Sequence, residues 1–105
     1  MMGETMDKKV YEFLTTIPKG KVVTYGQIAE YLGNKGLSRV VGNILHRNPE
    51  PFKYPRYKVV NREGKLAKHF GLGIEKQKEL LEQEGIIVTD YKVDLSVYRY
   101  DIPTE

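Results

Sequence analysis

The feature that most constrains the fold is a pair of short helical patterns with glycines between them. Thr24 and Gln27 have the spacing of a capping box, and Gly33 follows the last apolar position of the first helix. Gly36 suits a turn, and Ser38 is a good N-cap for a second helix. Two short helices joined by a glycine-containing turn predict a helix-turn-helix.

The second helical pattern, Ser38 to Arg47, has two different faces. The apolar residues predict a buried face at helical spacing: Val40, Val41, Ile44 and Leu45. The opposite face has the i, i+3, i+4, i+7 spacing and consists of Arg39, Gly42, Asn43 and His46. Because these side chains combine one cation with small residues, this face can approach a nucleic-acid groove closely. We interpret the segment as a recognition helix, with these candidate DNA contacts: Ser38, Arg39, Gly42, Asn43 and Arg47.

Length and composition indicate one domain, residues 1–105, because a chain of this size buries a single core. No apolar run approaches the ~20 residues that span a bilayer, so we expect a cytoplasmic, nucleoid-associated monomer with no membrane partner. The chain has no cysteine, which excludes disulfides and thiol nucleophiles. With two histidines, it also has a poor basis for a metal site, and we expect no cofactor.

The net charge of +3 hides an asymmetric distribution. Residues 1–74 contain 13 Lys/Arg and 6 Asp/Glu, whereas residues 75–105 contain 4 and 8. Nine of the cations lie between Lys35 and Lys68, interleaved with Phe52, Tyr54 and Tyr57. Cations mixed with aromatic residues suit phosphates and bases. The alternative is a basic face that is merely solvated.

The remaining segments predict a small helical domain with some β structure. Before the helix pair we expect a helix over Thr5–Thr16, with Met6 among its inward residues, and a short strand over Lys21–Val23. After it, Tyr57–Val60 and Leu66–Phe70 flank a four-residue turn signal, which predicts a hairpin. A hairpin that follows a helix-turn-helix is a wing.

The C-terminal third begins with a helix predicted over Ile74–Glu84 and ended by Gly85. Residues 86–105 are predicted to form an extended tail. Within it, apolar and polar residues alternate over Lys92–Tyr98, which predicts a strand or an extended segment lying on the surface.

Four motifs occur in order between about Tyr11 and Gly85: Pro18–Ala29, Ser38–Gly42, Arg47–Pro49 and Pro55–Val60. Together they resemble the C-terminal domain of the O6-alkylguanine-DNA alkyltransferases. The resemblance implies a winged helix-turn-helix domain, mainly α with small β structure, that binds the minor groove of double-stranded DNA and flips an alkylated guanine into a pocket.

The resemblance also implies roles for individual residues. Arg39 would be the arginine finger, Tyr25 would help to turn the phosphate, Asn48 would position the active-site loop, and Glu84 would stand behind the catalytic histidine.

The reactive motif of that family is changed. Where the family has Pro-Cys-His-Arg and transfers the alkyl group to cysteine, this chain has Pro55, Arg56, Tyr57 and Lys58. Neither a guanidinium nor a phenol accepts an alkyl group as a thiolate does, so we expect no alkyl transfer and no enzyme. The resemblance narrows to the alkyltransferase-like proteins, which bind O6-alkylguanine without repairing it and mark it for nucleotide excision repair. The tail, with Val93-Asp94-Leu95 and an aromatic at Tyr98 or Tyr100, is similar to that of this subgroup.

The resemblance also implies a lesion pocket, formed by Tyr25, Asn48, Pro55, Arg56, Tyr57, Phe70 and Gly71. Arg56 either lines this pocket, plugs it, or has drifted after the reaction was lost. Lining is plausible chemically because guanine offers its O6 and N7 acceptors to an arginine.

Two functions remain open. The first is a non-enzymatic binder of DNA containing O6-alkylguanine, with nucleotide excision repair proteins as partners. The second is a winged-helix transcriptional regulator, or a general DNA-binding protein without lesion preference. The first is favoured because Gly42 and Asn43 offer few groups that read bases in the major groove.

Overall fold

The computed structural model describes residues 5–50, 52–67 and 73–103. Within these ranges the helices are α1 (Met6–Leu14), α2 (Tyr25–Tyr31), α3 (Ser38–His46), α4 (Ile74–Gln83) and α5 (Leu95–Tyr98). The strands are β1 (Val23–Thr24) and β2 (Val59–Val60), and 3-10 turns cover Lys35–Leu37 and Arg56–Lys58. The prediction of a mainly helical fold with a little β structure is confirmed. Among the described residues, no helix is both long enough and apolar enough to cross a bilayer.

Side chains cap the starts of α1, α2 and α5, whereas α3 and α4 start without a side-chain cap. The predicted capping box is confirmed: the Gln27 amide donates to Thr24 Oγ1 at 3.1 Å, and the Thr24 amide donates to Gln27 Oε1 at 3.0 Å. The prediction that Ser38 is the N-cap of α3 is wrong. Ser38 is the first helical residue, and its hydroxyl donates to the Lys35 carbonyl at 3.2 Å. The cap lies one turn earlier, where Asn34 accepts the Gly36 amide and starts the 3-10 turn that leads into α3.

The buried residues form two hydrophobic clusters with the sheet between them. The first contains the inner faces of α1, α2 and α3, and the second contains Leu66, Leu81, Ile86 and Val93. Successive strand residues point to opposite sides, so Val23 and Val59 enter the first cluster while Val22 and Val60 enter the second. Two inward predictions are wrong: the side chains of Met6 and Val40 are each 38% exposed, because they lie at the edges of their helices' apolar faces.

The small sheet differs from the predicted hairpin. β2 pairs in parallel with β1, with Val23 opposite Val59 and Thr24 opposite Val60. The turn after β2 forms as predicted, but the Leu66 amide then donates to the Tyr91 carbonyl at 2.9 Å rather than back to β2. Both faces of β2 are buried, because it pairs with β1 in a two-stranded sheet that lies between the two hydrophobic clusters. The last three residues of the predicted second strand, 68–70, lie outside the described residues.

Gly64 allows the C-terminal segment to pack against the turn after β2. Its φ is +89°, and a Cβ added there would lie 2.2 Å from the carbonyl oxygen of Val93. That close approach accompanies a hydrogen bond of 2.9 Å from the Val93 amide to the Gly64 carbonyl. A side chain at residue 64 would therefore separate the tail from the domain.

Residues Leu95–Tyr98 are helical, so they form neither the strand nor the extended segment that was predicted over Lys92–Tyr98. Asp94 Oδ1 accepts both the Ser96 amide and the Ser96 hydroxyl, and this cap starts α5. The short alternation in the sequence was outweighed by this local cap, which satisfies a free helix amide. After α5 the chain runs beside β1: the Val22 amide donates to Tyr98, and the Tyr100 amide donates to Val22, both at 2.8 Å.

Candidate DNA interface and lesion site

The outer face of α3 is open. Arg39 and Asn43 are exposed, and Gly42 between them is half-buried. A Cβ added at Gly42 would meet no atom within 4 Å among the described residues, so the fold itself does not require glycine there. The helix is fixed from behind, where the Tyr11 hydroxyl donates to the Ile44 carbonyl at 2.8 Å. Arg39 is thus exposed on a helix face that has no bulky side chain at Gly42, and such a face can approach a DNA groove closely.

Arg47, a predicted DNA contact, has an internal partner. Its guanidinium bonds both carboxylate oxygens of Asp7 on α1, at 2.9 and 3.1 Å from Nη2. Both side chains are partly exposed, at 55% and 39%. Arg47 is therefore tied to α1, and its charge is partly neutralised where it meets solvent.

The loop after α3 is held in shape by Asn48. Its Nδ2 donates to the Tyr54 carbonyl at 2.7 Å, and its Oδ1 accepts the Glu50 amide at 2.9 Å. The ring of Tyr54 stacks on Tyr11, with centroids 5.3 Å apart and an interplanar angle of 16°. One amide thus holds the two ends of the loop, and a ring stack anchors the loop to α1.

Arg56 is turned into the protein. The residue is 9% exposed, and its Nη1 donates to the Leu45 carbonyl at 2.6 Å. Leu45 lies in the last turn of α3, where the helix dipole favours a cation. Burial lowers the pKa of the Arg56 guanidinium, and interaction with Tyr25 and Tyr11 raises it in part. Burial also raises the pKa of the Tyr25 phenol, which the nearby charge of Arg56 partly offsets.

Tyr57 and Lys58 meet at the carboxylate of Glu84. The Tyr57 hydroxyl donates to Glu84 Oε2, and Lys58 Nζ lies 3.0 Å from Oε1. The Gly20 amide donates to Oε1 at 2.9 Å, so Glu84 joins the loop after α1, the Pro55–Lys58 segment and the end of α4. Lys58, whose residue is 3% exposed, also donates to the Ile17 and Pro18 carbonyls, at 3.1 and 2.7 Å.

The protonation of this cluster follows from its contacts. Burial raises the pKa of the Tyr57 phenol far above its usual range, and the hydrogen bond and negative charge of Glu84 raise it further. For Glu84, burial raises the pKa of the carboxyl group. Hydrogen bonds from Tyr57, the Gly20 amide and Lys58 outweigh that effect, so this pKa lies below its ordinary value. At neutral pH Glu84 is therefore a carboxylate and Tyr57 a neutral phenol.

Gln77, on α4, also holds the turn that carries Tyr57 and the strand that follows it. Its Nε2 donates to the Tyr57 carbonyl at 3.0 Å and to the Val59 carbonyl at 3.3 Å, and its Oε1 accepts the Ala67 amide at 2.9 Å. The side chain is fully buried. Gln77 lies three residues after Ile74 and four before Leu81, on the apolar side of α4, and the sequence alone assigned it no role. An amide in an apolar stripe is the signal that could have found it, since buried polar groups need partners.

The predicted pocket residues are only partly brought together. Tyr25 and Arg56 are close enough to shift each other's pKa, and Pro55 precedes the turn that carries Arg56 and Tyr57. Phe70 and Gly71 lie outside the described residues. In the described part of the chain, no three or more His, Asp and Glu side chains are grouped so that they could hold a metal ion.

These features define a DNA-binding domain of the alkylguanine alkyltransferase type. Residues 5–86 match the family model described as 6-O-methylguanine DNA methyltransferase, DNA binding domain, and the chain belongs to that family.

Two similar proteins are small and are matched over most of their length. A DNA base-flipping protein of Vibrio parahaemolyticus is 40% identical over 93 residues, which are 88% of this chain and 92% of that protein. Alkyltransferase-like protein 1 of Schizosaccharomyces pombe is 38% identical over 97 residues, which are 90% of this chain and 87% of that protein.

A third relative and a solved structure extend the comparison. A methylated-DNA–protein-cysteine methyltransferase of Thermococcus gammatolerans is 44% identical over 81 residues, which are 76% of this chain but 44% of that enzyme. The crystal structure of S. pombe Atl1 in complex with damaged DNA containing O6-carboxymethylguanine matches with a TM-score of 0.84 and 34% identity. The match covers 97% of this chain and 100% of that one.

Proposed function

We propose that the protein binds double-stranded DNA containing O6-alkylguanine, flips the damaged base out of the helix and leaves the alkyl group in place. The observation that supports this proposal most is the identity of residue 56 and the contact that its side chain makes. The position of the family's reactive cysteine holds Arg56, whose guanidinium donates to the Leu45 carbonyl, and the chain has no cysteine. The DNA-facing helix of the same domain nevertheless keeps an exposed arginine, Arg39.

Base flipping is assigned to Arg39. An extruded base leaves a gap in the stack, and a planar guanidinium can fill it while it replaces lost stacking and hydrogen bonds. Gly42 and Asn43, which follow on the same face of α3, let the helix approach the groove closely enough for Arg39 to enter. Tyr25, at the start of α2, is assigned the rotation of the target phosphate.

The absence of alkyl transfer is supported by the groups around residue 56. Tyr57 occupies the position of the family's histidine, and its phenol donates to Glu84 with a raised pKa. A neutral phenol is a poor nucleophile and a poor base. Lys58 is engaged by a carboxylate and two carbonyls. We therefore propose a binder whose complex with the lesion persists and marks it for nucleotide excision repair.

The first experiment separates a lesion binder from a general DNA-binding protein. In competition binding at one fixed salt concentration, a duplex with a single O6-methylguanine should bind the protein more tightly than the same duplex without it. After incubation with DNA carrying a labelled O6-methyl group, the label should remain on the DNA. Equal affinity for both duplexes would contradict lesion recognition, and label on the protein would contradict the non-enzymatic assignment.

The second experiment tests Arg39. The Arg39→Ala variant should lose the fluorescence rise of 2-aminopurine at the target position while it keeps weak, salt-dependent binding. Arg62→Ala, which removes an exposed arginine outside α3, is the matched control. It should keep flipping and at most lower the salt slope by about 1. If the two variants behave alike, Arg39 is a phosphate contact and not the flipping residue.

A further inference from the structure

The chain after α5 lies beside the backbone that leads into α2, whose first residue is Tyr25. The Tyr100 amide donates to the Val22 carbonyl at 2.8 Å, and the Val22 amide donates to the Tyr98 carbonyl at the same distance. Val22 immediately precedes β1, and β1 runs directly into α2. Residues 98–102 are therefore attached next to the start of the helix that carries Tyr25.

Gln27 bonds both this segment and the cap of α2 with one side-chain amide. Its Oε1 accepts the Thr24 amide at 3.0 Å, which is one half of the capping box. Its Nε2 donates to the Tyr100 carbonyl at 2.7 Å. Because one partner is a donor and the other an acceptor, together they fix the position and the orientation of the amide group. Tyr25 follows Thr24 directly and lies within the turn that this side chain spans.

The capping box by itself does not require glutamine at residue 27. A glutamate there would accept the same backbone amide, and its charge would interact favourably with the helix N-terminus. A carboxylate, however, has no hydrogen to donate to the Tyr100 carbonyl. The amide of Gln27 therefore adds a contact that the cap does not need, and this contact holds residues 98–102 against α2.

Apolar packing involves the same two parts of the chain. The side chains of Tyr25, Tyr100 and Ile102 are partly buried, and all three pack against the first hydrophobic cluster. Thr24 is 8% exposed, so the residue before Tyr25 is held in the interior. The placement of Tyr25 and the attachment of residues 98–102 thus depend on one cluster as well as on one hydrogen-bonded side chain.

We propose that Gln27 is a positioning residue for DNA binding, which holds Tyr25 in the orientation that turns the target phosphate while residues 98–102 are attached beside Val22. This inference rests on the proposed function, because phosphate rotation is assigned to Tyr25 there. Tyr25 acts on the DNA, whereas Gln27 and Tyr100 act through Tyr25. Residues 98–102 therefore contribute to lesion recognition through α2.

Competition binding with the full chain tests the proposal. Gln27→Glu keeps the acceptor of the capping box but removes the donor to Tyr100. It should lower the preference for the duplex with O6-methylguanine by about fivefold or more. The preference is a ratio between two duplexes with the same phosphates, so a general effect of the added charge cancels. Gln83→Glu, the same change at an exposed position of α4, is the matched control and should keep the wild-type preference.

Two further variants show whether the effect passes through Tyr25. Tyr100→Pro removes the donor to the Val22 carbonyl without changing α2, and should lower both the lesion preference and the fluorescence rise of 2-aminopurine. Tyr25→Phe removes the hydroxyl and keeps the ring. In that background Gln27→Glu should have little further effect on the preference, because a positioning residue acts only through the group that it positions.

Hydrogen exchange on the wild type keeps the test valid if a variant unfolds. Because coupling between two sites is reciprocal, saturation with the damaged duplex should slow exchange of the Tyr100 amide more than that of the Ile86 amide, which belongs to the second cluster. The proposal is overturned if the two amides respond equally, if Gln27→Glu keeps the wild-type preference, or if its effect is the same without the Tyr25 hydroxyl. A wild type that does not prefer the damaged duplex would overturn the proposed function, and this inference with it.

Discussion

The outer face of α3 and the segment Pro55–Lys58 both carry cations, but they use them in opposite ways. Arg39 is exposed on α3, whereas Arg56 and Lys58 are 9% and 3% exposed and donate to acceptors inside the protein. The nine cations between residues 35 and 68 therefore do not form one phosphate-binding surface. A cation in a basic stretch of sequence can therefore stabilise the fold instead of binding phosphate, and its neighbours in the folded chain decide which role it has.

Among substitutions of these cations, the largest loss of stability is expected at Lys58. Lys58→Met keeps the shape of the side chain but leaves Glu84 without its buried cation, and should lower the free energy of unfolding by about 3–5 kcal/mol. Chemical denaturation measures this. Lys65→Met, which breaks an exposed pair with Glu63, should cost less than about 1 kcal/mol. Equal effects of the two substitutions would mean that Lys58 is an ordinary surface cation.

Glu84→Gln should destabilise the protein at pH 7 to a similar extent, and the effect should depend on pH. Because the pKa of Glu84 is lowered in the folded state, its stabilisation is complete above the unfolded value, 4.5, and is lost as pH falls through the folded value. The difference in unfolding free energy between the wild type and Glu84→Gln should therefore narrow on acidification below pH 4.5. A difference that stays constant from pH 7 to pH 3 would contradict a charged Glu84.

Arg56→Met comes next in expected size. Loss of the charge-assisted hydrogen bond to Leu45 should cost about 2 kcal/mol of unfolding free energy. Competition binding with damaged and undamaged duplexes, measured on the same variant, shows whether Arg56 also faces the lesion. An unchanged stability with an altered lesion preference would mean that the guanidinium lies in the lesion pocket and does not stabilise the fold through Leu45.

Arg56→Cys should not restore alkyl transfer, because Tyr57 cannot activate the thiol as the histidine does.

The smallest effect is expected at the pair between Arg47 and Asp7. Asp7→Asn should change stability by only about 0.5 kcal/mol, since both side chains are partly exposed. It should raise the affinity for duplex DNA and steepen the salt dependence by up to about 1, because Arg47 is then released to meet a phosphate. Arg47→Ala is the control, and Asp7→Asn should have no effect on DNA affinity in that background. An unchanged affinity of the single variant would mean that Arg47 does not reach the DNA.

The sequence predicted those parts of the fold that depend on neighbouring residues. The capping box at Thr24 and the end of α4 at Gly85 follow from local backbone chemistry, and both are confirmed. The pairing of β2 with β1 joins residues far apart in the chain, and local turn signals favoured a hairpin instead. The helix at residues 95–98 was missed because a few alternating residues look like a strand unless the cap at Asp94 is weighed.

The same distinction applies to the candidate site: part of it could be predicted from the sequence, and the rest depends on contacts between residues far apart in the chain. The exposed position of Arg39 on the outer face of α3 and the loss of the cysteine could both be predicted from the order of residues. Whether Arg56 faces outwards or inwards depends on the Leu45 carbonyl eleven residues earlier, which no spacing rule reveals. The role of Lys58 depends on Glu84 and on the backbone after α1, which only the folded chain brings together.

The position of Val22 has a consequence for how the chain folds. Its backbone bonds Tyr98 and Tyr100, and Gln27 bonds the Tyr100 carbonyl across 73 residues of sequence. Contacts so distant in the chain form late, because a long loop must close before they are gained. The three N-terminal helices can collapse first on local contacts, and the docking of the tail beside β1 is then the step that completes the native state.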